Sequence, residues 1–548
     1  MKSLVQNSKV YFQLLGEFWL RSEKRKRAYI LVLLIVSMYI LSTYINVELA
    51  KTRGNFMTYL SKKEVENFYL TIFYFFGILF SYLLLYTLSL YLQDRLVITW
   101  REGMTKSYLN SYLSNSRFYH INRDKNIDNP DQRISEDILS FINNSIKIFF
   151  SFLDSILQFF AYSFLLYSIS GLLFFTALLL SIVTNFLGTY LFGRRLSFLN
   201  FEQYKKEADL RFDLMRVREH SESIALWRGD KFENKRTQNK LKLILENSKK
   251  LVFIKANLNF FQVGSKNLIN TIPTLLLAGM YLNGEIEFGI IETGGIAFVS
   301  IMYSLNIIND QLKEITLVFA DMKRISELDK VSDHDPDENI LHKKSDRFLI
   351  QDLSIIHPGS NQYLIKNLML NLDNKNLWIS GISGIGKSTF LKTIFGFYHR
   401  GTGTIQIPEN KKIGFLPQNE YQFKGNLIDL LMYPENNNEY NEKEIIDLLD
   451  MFQLNHLKDL KSELDSPGIL SKGEQQRLSF CRLVLQKPDI VFLDEPGTAI
   501  GKSMYTKLFE YLINNNIQYL TVSHNPEFAE YHDIHLVLEE TEPGYSFL

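Results

Sequence analysis

Asn376–Thr389 reads NLWISGISGIGKST, a short apolar strand running into a glycine loop that opens a helix. Gly381–Thr389 fits the pattern G-x-x-x-x-G-K-[ST], and phosphate chemistry explains each residue type. Glycines let backbone N–H groups approach phosphate oxygens, and the helix N-terminus adds positive dipole. Lys387 reaches the β- and γ-phosphates, and Ser388 ligates magnesium. The expected binding loop is therefore Gly381, Ile382, Ser383, Gly384, Ile385, Gly386, Lys387, Ser388 and Thr389. From about Arg347 onward, short β-type runs alternate with turns and helices, which predicts an α/β P-loop domain over 347–548.

Further along, IVFLDE at Ile490–Glu495 is an apolar strand ending in two carboxylates. Asp494 suits magnesium held through water, and Glu495 suits a general base polarising an attacking water. Between the two motifs lies LSKGEQQR, Leu470–Arg477, just ahead of a helix, and His524 follows the apolar strand Tyr519–Val522. The single cysteine, Cys481, excludes an intramolecular disulfide or cysteine metal cluster and reads as a packing residue.

Towards the N-terminus the character changes. Ala28–Asn46 and Phe68–Leu92 carry no charge, and neither does Ser155–Gly193, which is long enough for two helices turning near Ser168–Gly171. Windows of about twenty uncharged apolar residues mark helices that satisfy every backbone hydrogen bond inside lipid. Two further spans are expected at 267–284, with Pro273 inside, and at 288–308 despite Glu292, giving six. Lys24-Arg25-Lys26-Arg27 precedes the first span and puts both termini in the cytosol. The late start at Ala28, with no small-residue cleavage site behind it, predicts that the first span is retained. The polar segments Gln93–Lys147 and Arg194–Lys250 then fall on the cytosolic side as helix extensions. Asp154, Glu285, Glu287 and Glu292 lie in or beside spans, where acids face a cavity or a partner, and a pathway role is weighed for Glu292.

Lys and Arg together number 60, matched by 60 Asp and Glu, so no nucleic-acid partner is expected. The predicted divisions are a 1–27 elbow, a 28–310 membrane domain, a 311–346 linker and the 347–548 domain.

Gly381–Thr389, Gln418, Leu470–Arg477, Asp494–Glu495 and His524 stand in the order and spacing of the Walker A, Q-loop, signature, Walker B and H-loop elements. The second half thus resembles an ABC nucleotide-binding domain, and the six-helix all-α first half an ABC-exporter-type membrane domain. Four segments narrow the resemblance: INVELAKTRGNFMTYL (45–60), ITWREGMTKSYL (98–109), IDNPDQRISED (127–137) and the long stretch Asn200–Gly229. They resemble the BacA/SbmA-type bacterial transporters and the peroxisomal fatty-acyl-CoA transporters.

The resemblance implies Mg-ATP as cofactor, with Ser388, Gln418 and Asp494 around magnesium, and Glu495, His524 and Gln418 catalytic. It also implies that Leu470, Ser471, Lys472, Gly473 and Glu474 meet the ATP of a partner subunit in a homodimer. The setting it implies is a multi-pass protein of a bacterial inner membrane, moving peptides, cobalamin or other bulky hydrophilic solutes. The alternatives are fatty-acyl-CoA or lipid transport and a non-transporting membrane regulator.

Three features depart from the usual pattern. PGTAIG puts Gly501 where relatives carry the D-loop aspartate, so looser coupling between two ATP sites is expected. The signature reads LSKGE, and adenine stacking falls to His357 or Tyr363. Asn129–Pro130 should break a helix, and Arg211, Arg216, Arg218, Glu219 and Glu222 could pair within or between helices.

Overall fold

A computed structural model describes residues 10–547 apart from 124–126, 330–337, 358–361, 383, 436–440, 458, 461–462, 465–469, 498 and 542–543. The chain forms two compact units, Met1–Val331 and Ser332–Leu548.

Among the described residues of the first unit, five helices are long and apolar enough to cross a membrane: Arg25–Ser61, Val65–Asn122, Pro130–Ile169, Gly171–Glu219 and Phe288–Leu305. Their outer faces carry exposed rings such as Phe73 and Phe164, as lipid-facing helices require. The break expected near Ser168–Gly171 is a helix cap. Ser170 is extended and its hydroxyl accepts from the Leu173 N–H, so one helix stops and the next begins. The expected span at 267–284 is the end of the 53-residue helix Asp230–Leu282, with Pro273 inside it. Lys266, Asn267 and Asn270 leave this end less apolar than the other five, and it is not among them.

The polar segments continue the apolar helices. Val65–Leu113 runs unbroken through Gln93. Arg194–Glu219 and Asp230–Leu282 lie antiparallel, pinned by Arg236–Asp213 at 3.1 Å, Arg216–Glu233 at 2.8 Å and Asn247 Nδ2 donating to Leu199 O at 2.9 Å. Of Arg211, Arg216, Arg218, Glu219 and Glu222, only Arg216 forms an ion pair among the described residues.

Asn129 adopts the left-handed region ahead of Pro130, φ 41°, a conformation that asparagine tolerates better than most residues, and it keeps the chain out of the helical well before the proline. Arg133, 2% exposed, clamps this turn. Its guanidinium donates to Asp128 Oδ1 at 2.5 Å, Glu327 Oε2 at 2.8 Å and Arg324 O at 2.7 Å. Those last two partners sit on the helix Leu312–Leu328, within the stretch expected as a linker. Val318, Met322 and Ile325 are buried along one face of it, a helical stripe that packs into the first unit. The strand Glu338–Ser345, also inside 311–346, pairs in parallel with Gly401–Pro408.

The second unit holds a four-stranded and a six-stranded sheet. The larger runs, edge to edge, Gly544–Phe547, Ile534–Thr541, Leu377–Gly381, Gln518–Val522, Ile490–Asp494 and Ile413–Leu416. Every residue of Ile490–Asp494 and Gln518–Val522 is buried, which is why Ile490–Leu493 is wholly apolar and the buried polar groups of the pair are few. Cys481 lies in this core, and burial pushes its thiol up to about 12, consistent with packing.

Within the first unit, two helices cross at contact distance where Gly54 faces Gly289. A Cβ on Gly289 would stand 1.8 Å from Gly54 O, while Thr58 Oγ1 accepts from the Gly289 N–H at 2.9 Å. Gly289→Val is expected to destabilise the purified protein by about 1–3 kcal/mol through overpacking. Gly77→Ala, with nothing within 4 Å, should leave the thermal unfolding midpoint in detergent near wild type.

Candidate functional site

Parallel register builds the site. Ile379, Val522 and Asp494 are Cα partners across three adjacent strands, so the segments that follow them emerge together at one sheet edge, where α/β folds bind ligands. Those segments carry the glycine loop, His524 and Glu495.

Within the loop, Gly381, Gly384 and Gly386 have φ of 145°, 82° and 107°. A Cβ on Gly386 would meet Leu364 at 2.6 Å, and one on Gly381 would meet Leu538 O at 2.5 Å. Only glycine gives this cradle of backbone N–H groups. Ser383 lies outside the described residues; Ile382 and Gly384 are exposed and Ile385 is buried. The helix Lys387–Phe395 starts directly after Gly386. Lys387 Nζ donates to Gly381 O at 2.9 Å and Ile382 O at 3.0 Å and lies 3.0 Å from His524 Nε2. Burial lowers its pKa, with Glu495 and Asp494 pulling it back up.

Ser388 Oγ donates to Asp494 Oδ1 at 2.8 Å. Asp494 is 2% exposed, and burial raises its carboxyl against the opposing Ser388 hydrogen bond. Glu495 takes a left-handed φ of 54°, a strained setting for a non-glycine residue. Its N–H donates to Val522 O at 2.9 Å, and its Oε1 lies 3.3 Å from His524 Nε2. Burial raises the Glu495 carboxyl, opposed first by His524. A hydroxyl and a carboxylate side by side are hard oxygen donors of the kind magnesium prefers, and the glycine cradle fits a polyphosphate. Mg-ATP therefore fits the residues present.

Gln418 stands apart. It is exposed beyond the end of Ile413–Leu416, and no hydrogen bond joins it to Ser388 or Asp494. The signature residues also stand apart from the loop. Ser471 caps the helix Lys472–Leu485 in a reciprocal box with Glu474, and Leu470 is buried behind it. Glu474 Oε2 accepts from the Ser471 N–H at 2.8 Å, which gives the acid in LSKGE a structural reason. A Cβ on Gly473 would stand 2.9 Å from Ala499 O.

Two residues of this helix were not singled out in the sequence. Gln476, 4% exposed, donates to Glu495 O and accepts from the Ala499 N–H, both at 3.2 Å, clipping down the segment after Asp494. Arg482 donates to Leu430 O at 2.8 Å and Tyr421 O at 3.2 Å, bracing the segment that follows Gln418. The available signal was polar residues embedded among buried apolar ones on one helix. Of the two adenine-stacking candidates, the Tyr363 ring has Lys366 Nζ 5.2 Å from its centroid, and the His357 N–H donates to Gln362 O at 2.8 Å.

Comparison with known proteins agrees with this geometry. The model of the ABC transporter transmembrane region 2 family matches residues 17–282, and that of the ABC transporter family matches 365–498. An uncharacterized ABC transporter ATP-binding protein of Haemophilus influenzae is 30% identical over 82% of this chain and 79% of its own length. The chain belongs to the ABC transporter family. It is also similar to ABC transporter D family member 2, chloroplastic, of Arabidopsis thaliana, at 27% identity over 98% of this chain and 86% of that protein. The human lysosomal cobalamin transporter ABCD4 is 24% identical over 81% of this chain and 80% of its own.

This ABC transporter is thus a multi-pass membrane protein that fuses a membrane region to an ATP-binding domain and couples ATP hydrolysis to transport. The strand that delivers His524 is secured from behind by His532, whose Nδ1 lies 2.6 Å from Phe528 O and whose Nε2 lies 2.8 Å from Thr521 Oγ1. Burial lowers the His532 pKa from 6.5 to about 4. A folded pKa below the unfolded one supplies stability that is complete above pH 6.5 and lost as pH falls towards 4, worth about 3 kcal/mol in all. The unfolding midpoint of the ATP-binding domain should fall over that window, and His532→Gln should flatten the slope when unfolding is followed by fluorescence at stepped pH.

Proposed function

We propose that the chain works as a homodimer in a bacterial inner membrane, both termini cytosolic, driving peptides, cobalamin or other bulky hydrophilic solutes across the bilayer. The observation that carries the ATP-driven part is the meeting of Lys387, Ser388, Asp494, Glu495 and His524 at one sheet edge. On this reading Gly381 to Thr389 hold the triphosphate, and Lys387 turns from its own loop carbonyls to the β- and γ-phosphates. Ser388 and Asp494, with Gln418 drawn in, hold magnesium. Glu495 polarises the attacking water, and His524 orients the γ-phosphate. Leu470, Ser471, Lys472, Gly473 and Glu474 face the ATP bound by the second copy. ATP binding closes the dimer, the helix extensions carry the motion to the spans, and hydrolysis resets them.

One observation supports a large hydrophilic cargo: the similar human protein is named for cobalamin transport. The sequence segments that resemble the peroxisomal fatty-acyl-CoA transporters keep fatty-acyl-CoA as the second reading.

In proteoliposomes, ATP-dependent accumulation of labelled cobalamin or a labelled proline-rich peptide is expected for wild type and not for Glu495→Gln, whose ATP hydrolysis should drop about 100-fold or more. Intact hydrolysis with neither cargo moved would turn the search to acyl-CoA. Gly501 has φ −76° at the N-cap of Lys502–Asn514 with open space around it, so an aspartate fits there. Gly501→Asp is expected to raise the Hill coefficient of ATP hydrolysis above wild type; an unchanged coefficient removes the proposed coupling defect.

A further inference from the structure

Ser471 has one hydroxyl hydrogen and one backbone N–H, and a single carboxylate oxygen takes both. Ser471 Oγ donates to Glu474 Oε2 at 2.7 Å, and the Ser471 N–H donates to the same oxygen at 2.8 Å. The hydroxyl oxygen accepts in turn from the Glu474 N–H at 3.4 Å. The second carboxylate oxygen, Oε1, lies 3.0 Å from His456 Nε2, so the acid is held from two sides. The Ser471 hydrogen bonds keep its carboxyl below the ordinary value, and it is a carboxylate at neutral pH.

On the reading above, this stretch faces the ATP bound by the second copy. An ionised phosphate accepts hydrogen bonds and donates none, so the Ser471 hydroxyl can meet it only with the hydrogen now given to Glu474. A carboxylate at hydrogen-bond distance from that hydroxyl also repels a triphosphate of the same sign. Its neighbours do the opposite. Lys472, exposed and in no ion pair among the described residues, places an ammonium at the same helix start, where the helix dipole favours an anion. Within Leu470–Glu474 the acid is thus the one side chain that opposes phosphate.

We propose that Glu474 is a gate on the ATP site of the second copy: it keeps the Ser471 hydroxyl occupied and must swing away before two copies can hold ATP between them. This rests on the two-copy reading above and adds to it a residue that sets how much ATP the transporter needs. A glutamine at position 474 would close the same box through its amide oxygen but carry no charge, so the cap and the gate are separable.

The test measures ATP hydrolysis by the full chain in nanodiscs, wild type beside Glu474→Gln and Ser471→Ala, with unfolding midpoints to report folding. Glu474→Gln should keep its midpoint near wild type and lower the KM for ATP about two- to fivefold at about 0.1 M ionic strength. At about 1 M, where the screening length falls to about 3 Å, its KM should approach that of wild type. A residue acting as a helix cap alone would show neither the lowered KM nor its loss in salt. Glu474→Ala, which removes the charge and the cap together, should lower KM in the same salt-dependent way and serves where Glu474→Gln unfolds early. A KM equal to or above wild type at low salt, or a lowered KM that salt leaves in place, would overturn the gate. Ser471→Ala should reduce hydrolysis at saturating ATP about tenfold or more; activity equal to wild type would instead overturn the reading in which the signature meets the ATP of a second copy.

Discussion

A backbone amide in apolar surroundings must find its hydrogen bond within the protein. Both units follow from that constraint. The first meets it with helices long enough to traverse lipid, each closing its own ladder. The second meets it with parallel strands whose groups pair sideways, so that Ile490–Asp494 and Gln518–Val522 can be wholly buried. Because parallel strands end at the same edge, the segments leaving them converge there. The glycine loop, Glu495 and His524 are neighbours for that reason and not because they are close in sequence.

A second constraint governs charge. Buried ionisable groups are costly, and the protein offsets most of them locally. Asp494 is offset by the Ser388 hydroxyl, Arg133 by Asp128 and Glu327, and Glu292 by Arg53. Where an offset is incomplete, chemistry follows. Lys387 rests on two carbonyls of its own loop, an arrangement a polyphosphate can displace. Asp154 is met by the neutral amide of Gln158.

The signature helix Lys472–Leu485 ties the parts of the ATP-binding domain together. One end is closed by the Ser471–Glu474 box, its middle holds the segment after Asp494 through Gln476, and its far end holds the segment after Gln418 through Arg482. A displacement of this helix would therefore be felt both in the segment after Asp494 and in the segment after Gln418. Gly501 leaves the neighbouring turn open, with no atom within 4 Å of where a Cβ would stand.

Much was legible from residue order alone, because uncharged windows, the glycine loop and the strand ending in Asp494–Glu495 are local patterns with local physical causes. The stretch expected as a linker holds the helix Leu312–Leu328, whose apolar stripe at Val318, Met322 and Ile325 acquires meaning only from the surface it packs against. The span at 267–284 was harder to place because Asn267 and Asn270 dilute its apolar run and Lys266 stands just before it. By itself, then, the sequence determined which segments are apolar, where the phosphate loop starts and which side chains can do ATP chemistry, since these depend on neighbours a few residues apart. Tertiary structure alone decided that Glu292 has a counter-ion while Asp154, among the described residues, has none, that Gln476 and Arg482 brace the site, and that Gly289 must be glycine. Each of these is a contact between residues far apart in the chain, which spacing cannot encode.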